Sequence, residues 1–279
     1  MRQHAAYAGC FVFDLDAYLA RIGADDEQGL ATIHRAHATS IPFENLDPLR
    51  GVAPALHSEA LERKLVAGRR GGYCFEHNLL LAEALGAVGA TVDPMLARVR
   101  WHAPAGTVRA LNHLVLRVSL GGEESHADVG FGAGGLLEPI PFGPGGPYEQ
   151  AGWRFRVVSE QGVLVLQTET DGDWEDIYAF VPEPAPRIDI EVNNWYTATN
   201  PDSAFVSGLI VARLDGDGTR TVLSDFGELA LIVTTPGSKR VTPVDREQIP
   251  RLLSEQFDLP GFALNGAGRL VLEHERQHA

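Results

Sequence analysis

The chain has 279 residues, 44% of them hydrophobic, enough to bury a sizeable core in one large domain or about two to three small ones. Lys and Arg number 23 against 37 Asp and Glu, a formal net charge of -14, so the surface repels nucleic acid and anionic membranes, and a phosphate-bearing ligand must find a local positive site. No apolar run reaches a membrane span, the opening MRQHAAYAGC lacks the pattern of a secretory leader, and the two cysteines, Cys10 and Cys74, have no zinc spacing; a soluble, cytoplasmic, metal-free protein is expected, with a single Cys10–Cys74 bridge left open.

The first third reads as helical. Asp14 caps a segment in which Tyr18, Leu19 and Ile22 recur at helical spacing before Gly23, and Leu30, Ile33 and His37 repeat the pattern. A third helix is predicted from Ser58 through Leu61 and Leu65 to Gly68. Gly71-Gly72 then breaks the chain, and Phe75, Leu79, Ala82 and Leu85 continue at helical spacing to Gly86, which puts Cys74 in the first turn of a helix.

From about Thr91 the pattern alternates, with Leu114, Leu116 and Val118 on one side of a strand and His113, Val115 and Arg117 on the other. Further strands are predicted at Ala127 to Phe131, Phe155 to Ser159, Val163 to Gln167 and Trp174 to Phe180. The Gly- and Pro-dense stretch from Gly132 to Pro147 reads as a surface loop near a site. After Val206, strands at Leu209 to Leu214 and Leu229 to Thr234 precede a helix from Asp245 to Phe257, and the tail after Gly266 is expected to fray. No internal repeat or low-complexity segment is present.

A cysteine becomes a nucleophile where its thiolate is stabilised, and a helix start offers unpaired N–H donors and the positive end of the dipole. The string RRGGYCFEHN, Arg69 to Asn78, provides that setting for Cys74, although a buried cysteine acting as a small hydrophobe is the structural alternative. A thiolate also needs a base and a group that orients the base. His113 lies in the apolar run LNHLVLRV, an expensive place for an imidazole without a partner. Asp128 lies in HADVGFG, where it either faces His113 or caps the turn at Gly130. His77, three residues after Cys74, and His126, which alternates with Asp128, are rival bases; an i+3 neighbour points along the helix axis, which favours His113.

Five strings in this order, IPFENLD (Ile41 to Asp47), RGGYCFEHN (Arg70 to Asn78), NHLVLRV (Asn112 to Val118), DVGFG (Asp128 to Gly132) and NWYTATNPDSAF (Asn194 to Phe205), resemble the arylamine N-acetyltransferase family. The resemblance runs from about Asp14 to Phe205 and is loose beyond. It implies an α+β fold with the catalytic core of cysteine proteases and transglutaminases: a helical bundle over 1–90, a β-barrel-like domain over 91–205, and an α/β lid and tail over 206–279.

It also implies a catalytic triad of Cys74, His113 and Asp128, with acetyl-CoA as co-substrate, a small arylamine or hydrazine as acceptor, and no metal. Trp101, Asn112, Gly132 and Gly134 are the residues it assigns to the cofactor, and Phe43, Phe131 and Phe205 those it assigns to the substrate. Glu44, Asn45, Arg70 and Glu76 support the cysteine helix. A homo-oligomer is compatible with the sequence. Three other functions remain open at this point: an amide synthase closing macrolactams on the same triad, a cysteine hydrolase or transglutaminase-like enzyme, and a non-enzymatic binding module. Whether His77 alters the pH dependence is open too.

Overall fold

Helix α1 (Leu15–Ile22) begins where the Asp14 carboxylate accepts the Ala17 N–H at 2.9 Å and ends at Gly23, whose φ of 72° is left-handed. The structure, a computed structural model, describes residues 12–25, 29–104 and 106–275, so Cys10 and the last four residues of the expected fraying tail lie outside it. Helix α2 (Gly29–Ser40) packs beside α1, and strand β1 (Phe43–Glu44) and the short helix α3 (Leu46–Leu49) follow.

The third predicted helix is two pieces: one turn of α-helix, α4 (Ser58–Leu61), widens into a π-helical stretch over Glu62–Ala67. That wider turn lies where Lys64 inserts toward buried carboxylates, an irregularity that side-chain periodicity does not encode. Helix α5 (Cys74–Ala87) is the central helix, buried along most of its length.

Strands β2 (Thr91–Val99), β3 (His113–Leu120), β4 (Glu123–Ala127), β5 (Ile140–Pro141), β6 (Gly145–Gln150), β7 (Trp153–Glu160), β8 (Val163–Thr170) and β9 (Asp173–Phe180) form one antiparallel, barrel-like sheet in the order β5-β4-β3-β2-β9-β8-β7-β6. Both faces are covered, so β3 is buried on either side: Leu114, Leu116 and Val118 meet Phe75 and Leu80 of α5, while Val115 joins Met95, Ile177 and Tyr178 inside the barrel.

Two expectations about this sheet are corrected. The strand predicted at Ala127 to Phe131 lies upstream as β4, so Asp128 is the first residue past its end. The stretch from Gly132 to Pro147 is not all loop. Leu136, Leu137 and Ile140 are buried, and β6 pairs at the sheet edge with a register shift between Gly145 and Tyr148, the kind of irregular edge that tolerates Pro147.

Helices α6 (Arg187–Thr199) and α7 (Ala204–Ser207) lead to a second sheet built from β10 (Ile210–Leu214), β11 (Arg220–Ser224), β12 (Ala230–Thr235) and β13 (Ser238–Pro243), with β1 from the first third added at its edge. Helix α8 (Ile249–Phe257) packs Leu252, Leu253 and Phe257 against Val211 and Leu223. In place of a frayed tail, β14 (Phe262–Leu264) and β15 (Leu270–Leu272) form a hairpin whose Phe262 and Leu270 join this core. Among the described residues no helix is long and apolar enough to cross a membrane.

Candidate active site

Cys74 is the first residue of α5, 2% exposed, with its Sγ 3.5 Å from the Asn112 carbonyl. A buried charge cluster braces this helix start. The Glu76 carboxylate accepts the Tyr73 N–H at 3.2 Å and pairs with Lys64 at 2.7 Å; Lys64 also holds Asp47 at 2.8 Å, and Arg70 reaches Glu44 at 2.6 Å and Asp47 at 3.0 Å. Burial raises the Glu76 carboxyl to about 7 despite Lys64, while the carboxylates around Lys64 and Arg70 outweigh burial and hold both cations more firmly protonated.

His113, first residue of β3, donates from Nε2 to Asp128 Oδ2 at 2.7 Å, both side chains buried. The other carboxylate oxygen of Asp128 accepts the Gly130 N–H and the Asn78 amide, each at 2.9 Å, so Asp128 caps its turn and faces the imidazole at once. Asn78, one turn along α5 from Cys74, also donates to Leu114 O and accepts the Val129 N–H, tying the helix to β3 and to the turn after β4 that carries Asp128. His34 fixes the Asp128 backbone by accepting its N–H at 3.1 Å, with its own Nδ1 donating to Leu137 O.

Burial alone would lower the His113 imidazole. The charge and hydrogen bond of Asp128, and then the neighbouring Cys74, outweigh it and raise His113 to about 10. Burial raises Asp128, but His113 together with the Asn78 and Gly130 hydrogen bonds brings it down to about 2. Each group of the pair thus favours the charged form of the other, with Cys74 adding to the imidazolium side.

The rival bases point elsewhere. His77 is hydrogen-bonded to His37 at 3.0 Å and to the Pro42 carbonyl at 3.2 Å, and His126 to the Tyr178 hydroxyl at 2.8 Å, a group that also contacts Asp128. Burial takes His77 and His126 each down to about 4, so both are neutral near pH 7.

Cys74 and His113 open onto a cavity of about 380 Å³. Trp101, Asn112, Gly134, Phe43, Phe131 and Phe205 all line it, whereas Gly132 packs behind the wall against the Phe43 ring. Gly134 leaves room for Trp101, whose ring carbons would lie 1.7 Å from a Cβ there. Phe205 is held because Asn45 donates to the Phe205 and Gly208 carbonyls and accepts the Ile210 N–H. A larger recess of about 840 Å³ beside Arg100, Trp174 and Asp176 shares His102 with this cavity but carries no nucleophile.

Trp101 and Asn112 line the cavity, and each carries a buried polar atom without a hydrogen-bond partner, the Trp101 Nε1 donor and the Asn112 Oδ1 acceptor. Arg109 belongs to the same lining. Phe226 lines the cavity as well, and Arg109, Phe226 and Tyr178 carried no signal in the sequence: Arg109 sits in an unpatterned segment, Phe226 in a bend, and Tyr178 reads as one more strand residue. Among the described residues no group of three or more His, Cys, Asp or Glu is arranged to hold a metal ion.

Residues 27–261 match the family model described as N-acetyltransferase. The chain is 44% identical over 214 residues to the arylamine N-acetyltransferase of Mycolicibacterium smegmatis, covering 73% of this chain and 78% of that protein. It is 36% identical over 258 residues to that of Mycobacterium bovis, covering 88% and 89%. Among solved structures, the Mycobacterium marinum arylamine N-acetyltransferase in complex with CoA superposes with a TM-score of 0.84 at 34% identity, covering 88% of this chain and 93% of that one.

Proposed function

The chain belongs to the arylamine N-acetyltransferase family, and on that premise we propose that it transfers acetyl from acetyl-CoA to arylamines, arylhydrazines or hydrazines by a ping-pong route through an acetyl-cysteine on Cys74. The observation that carries this reading is the Cys74–His113–Asp128 line, with the 2.7 Å His113–Asp128 bond at its far end and an apolar-walled cavity at the sulfur.

In the first half-reaction the Cys74 sulfur, as thiolate beside the His113 imidazolium, attacks the thioester carbonyl. The first N–H groups of α5 have no intrahelical acceptor and take the developing oxyanion. The carbon–sulfur bond to CoA breaks, the CoA thiolate takes the proton from His113, and an acetyl-cysteine remains. In the second half, the amine attacks the acetyl carbonyl, neutral His113 accepts the amine proton, and the Cys74 thiolate leaves. Asp128 keeps the ring oriented and stabilises its charged form in both halves.

Trp101 and Asn112 are the donor- and acceptor-bearing residues on the cavity wall suited to the amide groups of a pantetheine arm, and Arg109 brings to the same lining the positive charge that a phosphate needs on so acidic a chain. Phe43, Phe131 and Phe205 form the aromatic side for an arylamine ring. The chemistry requires a reduced thiol at Cys74, which fits a cytoplasmic location.

The test is to mix the purified protein with acetyl-CoA and no amine and read intact mass, with Cys74→Ala as control. One acetyl on Cys74, removed by an arylamine, is the expected result. No adduct would point to a carrier-bound acyl donor, as in an amide synthase; cleavage of an amide without CoA would point to a hydrolase.

A further inference from the structure

Behind the cysteine helix four buried polar groups form a chain that the mechanism above does not use. The Tyr18 hydroxyl is 2.8 Å from His37 Nδ1, His37 Nε2 is 3.0 Å from His77 Nδ1, and His77 Nε2 is 3.2 Å from the Pro42 carbonyl. Tyr18 and His37 are fully buried and His77 is 1% exposed.

The direction of every bond follows from its last member. A carbonyl only accepts, so His77 Nε2 carries the proton and its Nδ1 must accept. His37 therefore donates from Nε2, its Nδ1 accepts, and Tyr18 donates. Burial, together with neighbouring cationic groups at His37, keeps both imidazoles neutral, the form this arrangement needs.

The chain ends on the residue before Phe43, and Phe43 lies against the same histidine, its ring nearly parallel to His77 at a tilt of 17° and a centroid separation of 6.5 Å. On the other side β1 is clamped: the Glu44 N–H donates to Gly72 O at 2.7 Å, and a Cβ on Gly71 would lie 2.1 Å from the Pro42 oxygen. Helix α5 thus carries the sulfur at its first residue and, one turn later, the group that sets the position of the aromatic wall opposite.

We propose that His77 is a positioning residue for the acceptor half of the reaction, fixing Phe43 on the wall of the cavity that holds the acetylated Cys74 through its hydrogen bond to the Pro42 carbonyl. The inference rests on the acetyl transfer proposed above. It assigns His77 no proton transfer: its two nitrogens are engaged away from the sulfur.

Two variants separate the two nitrogens, since a glutamine amide nitrogen can stand where Nε2 stands and an asparagine oxygen where Nδ1 stands. With His77→Asn the Pro42 bond is lost, and kcat/KM for an arylamine should fall about tenfold while that for a small hydrazine, which has no ring to stack, and that for acetyl-CoA stay within about twofold. His77→Gln should restore the arylamine value to within about threefold of the parent. The arylamine-to-hydrazine ratio does not depend on the folded fraction, so partial unfolding does not imitate the effect. If His77→Asn yields no folded protein, Tyr18→Phe, which loosens the chain from its far end, should shift the same ratio in the same direction. An unchanged ratio, or a Gln variant no better than Asn, overturns the inference. A parent enzyme that takes no acetyl from acetyl-CoA overturns the acetyl-transfer reading itself.

Discussion

Two walls meet at Cys74, and each contains buried histidines, yet they do opposite things to the imidazole. On the strand side His113 is 2% exposed and raised to about 10; on the helix side His77 is 1% exposed and lowered to about 4. Burial is common to both, so burial does not decide. What differs is the partner: a carboxylate against His113, a carbonyl and a second neutral imidazole against His77. Low dielectric amplifies whichever partner is present, which is why one imidazole favours the charged form and the other the neutral one.

The sharpest way to break this contrast is Asp128→Asn, which gives His113 the kind of neutral neighbour that His77 has. Acetylation of Cys74 should slow on the order of 10³–10⁴-fold, as seen when a triad carboxylate is neutralised elsewhere. The His113 resonance, followed by NMR titration, should move from protonated at pH 7 to neutral.

The next largest effect is on stability. His34, His77 and His126 each have a folded pKa of about 4, below the ordinary histidine value of 6.5, so the unfolded chain binds more protons between those limits. Their contribution is complete above about pH 6.5 and is lost as pH falls through 4, together several kcal/mol by order of magnitude. His113 has the other sign: its raised pKa stabilises below 6.5 and is lost as pH rises through about 10. Urea unfolding at pH 7, 6 and 5 should show the midpoint falling, and a His126→Gln variant should show a shallower fall. A pH-independent midpoint would contradict the neutral state assigned to these rings.

A smaller effect is expected at Gly134, where a methyl group must displace the Trp101 ring without touching either set of histidines. Gly134→Ala should cost about 1–3 kcal/mol of fit. It should raise KM for acetyl-CoA with the His113 titration unchanged. The smallest is Arg109→Ala, with a rise of about three- to tenfold in KM for acetyl-CoA and none for the amine. A matching rise for the amine would show that Arg109 serves the cavity as a whole.

Much of the site was legible because its residues sit in local patterns that have a physical reason. Gly71-Gly72 before an apolar helical repeat marks a helix start at Cys74, and an imidazole in an apolar strand at His113 and a carboxylate in the apolar run around Asp128 are costly without a partner. The change of periodicity near Thr91 separated a helical first third from a strand-rich remainder, and the resemblance supplied the fold class. Where the reading slipped, at β4, β6 and the β14–β15 hairpin, the deciding contacts were sheet edges and a distant core, neither of which leaves a period in the local sequence. The open question about His77 also needed tertiary information, because His37 and Pro42, which hold it, are 40 and 35 residues away.

The sequence by itself singled out Cys74, His113 and Asp128 as a candidate triad, through costly positions and the family resemblance together, along with the order of helical and strand segments that carries them. The tertiary structure decided which proton each histidine holds, that Asp128 caps its turn and faces His113 at once, and that one helix positions both the sulfur and the Pro42–Phe43 wall. Those are properties of distances between segments far apart in the chain, and electrostatics inside a protein depends on such distances and on burial more than on residue identity.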